Sequence, residues 1–258
     1  MTFPPAVKQA LFKADPSWQP VLREALAALH AVDATYLHGL IDAHFLPTEH
    51  RLFAAFAQPL DHVRYVLVGE GPYPRADSAT GVCFMDGAVG SLWSEAGLSK
   101  QVNRATSLRN FMKLLLVADG KLDVAHTSGA ALAPIAQQAR TAGSQTIQTL
   151  MELQDNLTRH GFLLLNASLV FRPDVPPVKD AKAWRPFLQT VLGALALRDT
   201  PPTLVLWGKI AEQLQTLPLV ERFPKAVSEH PYNLSFIGNT GMQKLFGPMQ
   251  LLQQSLQP

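Results

Sequence analysis

Residues 66–85 read VLVGEGPYPRADSATGVCFM, and the prediction of the fold starts from this stretch. An apolar run rich in β-branched residues ends at Gly69, and a loop with proline and glycine then carries Glu70 and Tyr73 before a second apolar run reaches Phe84. In α/β folds, ligands lie beyond the carboxyl ends of the strands, where loops place polar side chains and expose backbone amides. The stretch therefore predicts a buried strand, over 63–69, that leads into a ligand pocket.

Three further short apolar runs, at 162–166, 203–207 and 226–228, predict strands. Apolar residues at helical spacing occur over 16–45, 47–57, 106–117, 147–159, 183–197 and from 242 onward. The section 123–143 is compatible with either a surface excursion or a helix with poor ends. Because strands and helices alternate, we expect right-handed crossovers and a three-layer α/β/α sandwich with a central sheet of about four parallel strands.

The chain of 258 residues predicts a single domain over 1–258, with a helical preface at 1–60 and a core at about 61–250. Lys and Arg number 22 against 20 Asp and Glu, a balance that permits a nucleic-acid partner without requiring one. Cys83 is the only cysteine, which excludes internal disulfides, four-thiolate zinc sites and iron–sulfur clusters held by this chain alone. We expect no cofactor and no metal.

The N-terminal segment has no continuous apolar core, and no later apolar run approaches membrane-spanning length. These features predict a soluble, cytoplasmic protein that does not bind membranes. We expect it to be a monomer.

Each predicted strand ends on a small or polar residue, and the four ends of a parallel sheet point the same way. We therefore expect Glu70, Asn166, Lys209 and His230 to meet at one edge. An asparagine amide has donors and an acceptor that suit the edge of a nucleobase, and a histidine can donate to an oxygen that gains negative charge. Tyr73 and Phe84 would add a flat apolar wall. The pattern predicts a pocket of nucleobase size.

Five ordered motifs carry a family resemblance. GEGPYP at 69–74, GVCF at 81–84, LLLN at 163–166, LWGK at 206–209 and HPYNLS at 230–235 are similar to the motifs of the uracil-DNA glycosylase superfamily. The resemblance spans roughly residues 45–250. It implies an enzyme that flips uracil, or a related deaminated base, out of DNA and cleaves its N-glycosidic bond to leave an abasic site.

The resemblance also implies roles for individual residues. Phe84 would stack on the base, Asn166 would bind its Watson–Crick edge, and Tyr73 would clash with the methyl group of thymine. Gly71 belongs to the same base-binding loop. His230 would donate to the uracil oxygen as the leaving group becomes anionic, and Leu234 would fill the space left by the flipped nucleotide. The residues placed to meet DNA phosphates are Ser168, Gly208, Lys209 and Ser235.

The first motif departs from the principal branch of the superfamily. Gly71 stands where that branch has an aspartate that positions or activates water, and Pro74 replaces a histidine. The GEGP tetrad resembles the iron–sulfur branch, whose cluster cysteines this chain lacks. Glu70 is therefore the first candidate for positioning water, and Asp77 the second.

Two other functions remain open at this point. A protein of the same fold with impaired catalysis would bind damaged bases or abasic sites in DNA. A nucleotide-binding α/β protein unrelated to DNA would use the GEGP loop to cradle a phosphate.

Overall fold

The structure, a computed structural model, describes residues 3–41 and 43–254. The strands are β1 (Tyr65–Gly69), β2 (Trp93–Ser94), β3 (Gly97–Leu98), β4 (Phe162–Asn166), β5 (Thr203–Trp207) and β6 (Lys225–Ser228). The helices are α1 (Pro5–Lys13), α2 (Gln19–Val32), α3 (Tyr36–Gly39), α4 (Lys100–Arg104), α5 (Thr106–Ala118), α6 (Gly129–Arg140), α7 (Leu150–Arg159), α8 (Pro177–Ala196), α9 (Lys209–Gln215) and α10 (Thr240–Phe246).

The central sheet has four parallel strands in the order β4-β1-β5-β6, with helices around it. β1 and β4 are in register from Tyr65 against Phe162 to Gly69 against Asn166, so that both strands end side by side. All five residues of β4 are buried. The predicted α/β sandwich with a four-stranded parallel sheet is confirmed.

The chain divides into two compact units. The first unit runs up to Gly87 and continues through Gly161–Val205 and Glu212–Lys225. In it, α2 packs against α8, and the core combines aliphatic side chains with a cluster of aromatic rings. The ring contacts join Trp18, Phe53, Phe56, Trp184 and Phe187.

The second unit comprises Ala88–His160, Leu206–Ala211 and the chain from Ala226 onward. Its core is built around α5, where Phe111 contacts Trp207 at a ring-centroid distance of 5.7 Å. Trp207 in turn contacts Phe236 at 5.4 Å. α7 starts with a capping box, in which the Thr149 hydroxyl accepts from the Glu152 N–H and the Glu152 carboxylate accepts from the Thr149 N–H.

Most predicted helices are present, with shifted ends. The section 123–143 contains α6, and α8 starts at Pro177 rather than at 183. The helical preface is interrupted after α2, because the Asp33 carboxylate accepts from the N–H groups of Thr35 and Tyr36 and so favours a turn. The predicted helix from 242 onward begins at Thr240 and ends at Phe246, and the part of the prediction beyond Gln254 lies outside the described residues. Within the described residues, no helix has the length and apolar character needed to span a membrane.

The predicted helix over 47–57 is wrong. Glu49 and His50 have left-handed backbone conformations, with φ of 60° and 58°, which a right-handed helix cannot contain. Only Ala54–Phe56 forms a short 3₁₀ turn. The apolar spacing arises because Leu52, Phe53 and Phe56 are each buried along an irregular segment.

Candidate active site

Asn166 lies at the carboxyl end of β4, beside Gly69 at the end of β1. The Asn166 side chain is buried. A Cβ atom on residue 69 would lie 2.9 Å from both Asn166 Oδ1 and Cys83 Cβ, a distance that side-chain atoms do not tolerate. Glycine at 69 therefore allows the Asn166 amide and the segment around Cys83 to close over the end of β1.

Two hydrogen bonds of Cys83 hold the segment that carries Phe84. The Cys83 N–H donates to the Leu164 carbonyl at 3.1 Å, and its thiol donates to the Leu67 carbonyl at 3.3 Å. Burial raises the pKa of the Cys83 thiol, so it remains protonated and able to donate. Phe84 follows with φ of 66°, an unusual conformation for a bulky residue. Strained backbone of this kind is concentrated at functional sites.

Tyr73 lies against the same segment, with its hydroxyl 3.5 Å from the Phe84 carbonyl. Burial, reinforced by the nearby Asp86 carboxylate, raises the pKa of Tyr73 to about 12. The phenol is therefore neutral throughout the physiological range. Arg75 donates to Ser78 Oγ at 3.0 Å and lies 3.5 Å from Asp86 Oδ2, and these contacts fold the loop back on itself.

Glu70, Gly71 and Ser168 are neighbours just beyond the two strand ends. The Ser168 N–H donates to the Glu70 carbonyl at 3.1 Å, whereas the Glu70 side chain is exposed. The buried Ser168 hydroxyl donates to the Val170 carbonyl at 2.9 Å. Contact between this hydroxyl and a phosphate stays a prediction, and the hydroxyl proton already has an acceptor. Asp77, the second candidate for positioning water, is exposed further along the loop.

In the second unit, His230 has a defined tautomer. The Tyr232 N–H donates to His230 Nδ1 at 3.1 Å. A ring nitrogen that accepts a hydrogen bond carries no proton, so the proton of the neutral imidazole is on Nε2. His230 is therefore arranged to donate through Nε2.

Gly208 provides space for His230. Its φ is +59°, its N–H donates to the Ser228 carbonyl at 3.0 Å, and a Cβ atom there would lie 2.8 Å from His230 Cβ. Sequence reasoning assigned Gly208 to phosphate contact, which stays a prediction. Lys209 follows as the first residue of α9 and is exposed.

Asn110, which sequence reasoning missed, holds the backbone after His230. It is buried within α5, and its Nδ2 donates to the Pro231 carbonyl at 2.7 Å. The Tyr232 and Asn233 carbonyls lie at 3.3 and 3.4 Å from the same nitrogen. The position of Asn110 on the apolar face of the predicted helix 106–117 could have indicated a buried polar side chain that needs a hydrogen-bond partner.

The Glu229 carboxylate also stabilises the loop that follows His230, through hydrogen bonds. Its Oε2 accepts from Asn239 Nδ2 at 2.8 Å, and its carboxylate also binds the Ser235 hydroxyl. Burial acts to raise the pKa of Glu229, but the hydrogen bonds from Ser235, its own backbone and Asn239 outweigh it and lower that pKa. The Ser235 hydroxyl is thus engaged with Glu229, and Leu234 next to it is 69% exposed.

The described residues contain no group of three or more His, Cys, Asp or Glu side chains that could hold a metal ion. The polar side chains of the candidate site residues carry amide, hydroxyl, phenol, imidazole, ammonium and single carboxylate groups. This chemistry suits hydrogen bonding to an organic ligand.

The sequence model of the Uracil DNA glycosylase superfamily matches residues 57–246, which include every candidate site residue. The chain belongs to the uracil-DNA glycosylase superfamily. Within this superfamily it is 30% identical to a uracil-DNA glycosylase of Corynebacterium glutamicum over 85% of this chain and 80% of that protein. It is also 30% identical to a uracil-DNA glycosylase of Parafrankia sp., over 95% and 93% of the two chains.

Solved structures of superfamily members agree with this assignment. The wild-type UNG crystal structure from Nitratifractor salsuginis superimposes with a TM-score of 0.87 at 37% identity, and covers 98% of this chain and 100% of that one. Mimivirus uracil-DNA glycosylase gives a TM-score of 0.55 at 15% identity, over 90% of this chain and 76% of that one. The second likeness concerns the fold alone.

Proposed function

We propose that this protein is a DNA base-excision repair glycosylase. It hydrolyses the N-glycosidic bond of a flipped-out uracil, or a related deaminated base, in DNA and leaves an abasic site. The observation that carries the proposal is the buried Asn166 amide at the end of β4, closed in by Gly69 and the segment that leads to Phe84. Relatives named uracil-DNA glycosylase support it.

The base is recognised by residues of the first unit. The Asn166 amide binds the Watson–Crick edge, since it offers two donors and an acceptor. Phe84 stacks on the base, and Gly71 leaves the loop open to it. The neutral, half-buried Tyr73 phenol excludes the methyl group of thymine and so discriminates against a normal base.

His230 and Glu70 carry the chemistry. As the glycosidic bond breaks, negative charge develops on a uracil oxygen. The neutral His230 imidazole donates a hydrogen bond to that oxygen from Nε2–H. Glu70 positions the water that attacks the sugar carbon, with Asp77 as the second candidate. Leu234 fills the vacated space, while Ser168, Gly208, Lys209 and Ser235 meet phosphates. We further propose that the protein acts in the cytoplasm as a single-domain monomer without a cofactor.

A panel of oligonucleotides, each with one altered base, tests the proposed activity by strand breakage after alkali. The wild type should cleave the uracil strand, and Glu70→Gln should be slower by about 10²- to 10⁴-fold if Glu70 is the water-positioning group. The control is Glu95→Gln, which changes an exposed glutamate elsewhere and should match the wild type. Absence of abasic product for uracil, hypoxanthine and other deaminated bases would refute the proposal.

The donor role of His230 has its own test. His230→Ala should slow excision by about 10²-fold or more, because one preorganised donor to the developing anion is lost. His126→Ala, at an exposed histidine, should leave the rate unchanged. Single-turnover kinetics on a uracil duplex measure both, and an unchanged rate in His230→Ala would show that the role is misassigned.

One observation favours a second candidate function, a protein that binds damaged bases or abasic sites without turnover. Gly71 provides no carboxylate where the principal branch has aspartate. A Cβ atom at residue 71 would meet Ser168 Cβ at 3.7 Å, an ordinary contact, so a side chain fits there. Under this alternative the wild type binds lesions without cleavage and Gly71→Asp gains activity. Equal affinity for lesion and normal DNA would exclude it.

A further inference from the structure

The loop at 230–235 exposes two large apolar side chains within three residues. Tyr232 is 67% exposed and Leu234 is 69% exposed. Among the described residues, the large apolar side chains that are exposed include two aromatic rings, those of Tyr232 and Phe12. Phe12 is on α1, whereas Tyr232 is next to the residue that the proposed function places in the gap left by a flipped nucleotide.

The backbone under Tyr232 is held from both sides. Its N–H donates to His230 Nδ1 at 3.1 Å, and its carbonyl lies 3.3 Å from Asn110 Nδ2. The Asn233 N–H donates to the His230 carbonyl at 2.9 Å, which closes the turn around Tyr232. The ring is therefore presented by an ordered turn, and a ligand that contacts it does not have to order the backbone first.

Removal of a nucleotide from the stack leaves the face of the adjacent base without a partner. An aliphatic side chain such as Leu234 fills volume but has no π face, whereas a tyrosine ring has one. Stacking of a base on an aromatic side chain changes affinity by about 5- to 150-fold and tolerates any base.

We propose that Tyr232 is a stacking platform for the nucleobase adjacent to the flipped nucleotide. The inference rests on the proposed function, since it requires a nucleotide to leave the stack. Tyr232 and Leu234 then have different roles. Leu234 occupies the gap, and Tyr232 covers the exposed face of the neighbouring base. Because the Tyr232 N–H binds His230 Nδ1, a base stacked on Tyr232 also stabilises the turn that orients the imidazole.

The test uses a duplex with a tetrahydrofuran abasic analogue and 2-aminopurine as the adjacent base. Tyr232→Ala should lower the affinity, measured by anisotropy, about tenfold and should abolish the quenching of 2-aminopurine fluorescence on binding. Tyr232→Phe keeps the ring and should retain both affinity and quenching. Phe12→Ala, which removes the other exposed aromatic ring, should bind like the wild type.

Two results would overturn the proposal. The first is affinity within twofold of the wild type, with quenching intact, in Tyr232→Ala. The second is an equal loss in Tyr232→Phe, which would assign the contact to the hydroxyl. Thermal unfolding of each variant checks the fold, and the phenylalanine variant keeps the test valid if the alanine variant is damaged. Excision of uracil by the wild type is measured separately, so that failure of the proposed function is distinguished from failure of the stacking role.

Discussion

Gly208 and Gly120 share a left-handed backbone, with φ of +59° and +70°, but differ in their surroundings. A Cβ atom at 208 would lie 2.8 Å from His230 Cβ, whereas nothing lies within 4 Å of one at 120. Alanine at either position carries the cost of a left-handed backbone, about 1–2 kcal/mol. Only the change at 208 also displaces His230, the proposed hydrogen-bond donor to the uracil oxygen.

We therefore predict that Gly208→Ala lowers kcat for uracil excision by about tenfold to 10²-fold, because a shift of about 1 Å in a catalytic group has an effect of that size. Gly120→Ala should lose stability in urea unfolding from the left-handed backbone alone, and should keep its kcat. Equal kcat in the two variants would contradict the clearance role of Gly208.

Helix α5 holds the loop at 230–233 through one side chain, that of Asn110. Asn110→Ala should destabilise the protein by about 1–3 kcal/mol, because the Pro231 carbonyl loses its buried donor. It should also slow excision, since the turn that orients His230 loses its support. The matched control is Asn103→Ala, which removes one hydrogen bond from an exposed asparagine to the Leu98 carbonyl. If the two variants unfold alike in urea, Asn110 is not the support.

The ionised Glu229 carboxylate accepts hydrogen bonds from Asn239 and Ser235, so its contribution to the stability of the protein should depend on pH. The folded-state pKa of Glu229 is below its unfolded value. The carboxylate therefore contributes stability at pH values above the unfolded pKa, about 4.3, and this contribution is lost as the pH falls through the folded pKa. Glu229→Gln should have a lower Tm than the wild type at pH 7.

That difference in Tm should narrow as the pH is lowered from 5 towards 3, as followed by thermal unfolding. Glu95→Gln, at an exposed glutamate, provides the control. A gap between wild type and Glu229→Gln that stays constant over this range would show that the ionised carboxylate does not brace the loop.

We expect the stability of the first unit to depend on a buried ionic cluster that joins segments far apart in the chain. Asp180 is buried at the start of α8 and accepts from the Tyr36 hydroxyl at 2.6 Å and from Arg172 Nη2 at 2.6 Å. Trp184 Nε1 donates to the Tyr36 oxygen at 3.0 Å. Residues 36 and 180 are 144 positions apart, so the cluster ties α3 to α8.

Asp180→Ala should cost about 3–5 kcal/mol, because it leaves the Arg172 guanidinium without its partner in a largely buried position. This is a large part of the total of about 5–15 kcal/mol that is usual for a folded protein. Glu49→Gln breaks the exposed pair with Arg51 and should cost less than about 1 kcal/mol. Urea unfolding measures both, and a small effect of Asp180→Ala would show that the cluster is not a main source of stability.

The amino-acid sequence alone was enough to place the four strands of the central sheet and the residues at their ends, but the two-residue strands β2 and β3 lie outside the predicted runs. Short apolar runs at β1, β4 and β5 could be assigned because burial and β propensity act locally. Asn166, Phe84 and His230 were found as candidates because polar or aromatic residues follow those runs in ordered motifs. The same local reasoning failed at 47–57, where apolar spacing arises from an irregular buried segment.

The contacts that hold those residues in place became visible in the folded structure. Asn110 and Pro231 are 121 positions apart, and no local sequence pattern predicts the hydrogen bond between them. The clearance at Gly208 and the left-handed conformation of Phe84 likewise depend on which segments pack together. Sequence periodicity reports which side chains are buried. The hydrogen-bond partners and close approaches that orient a catalytic group are set by the packing of elements far apart in the chain.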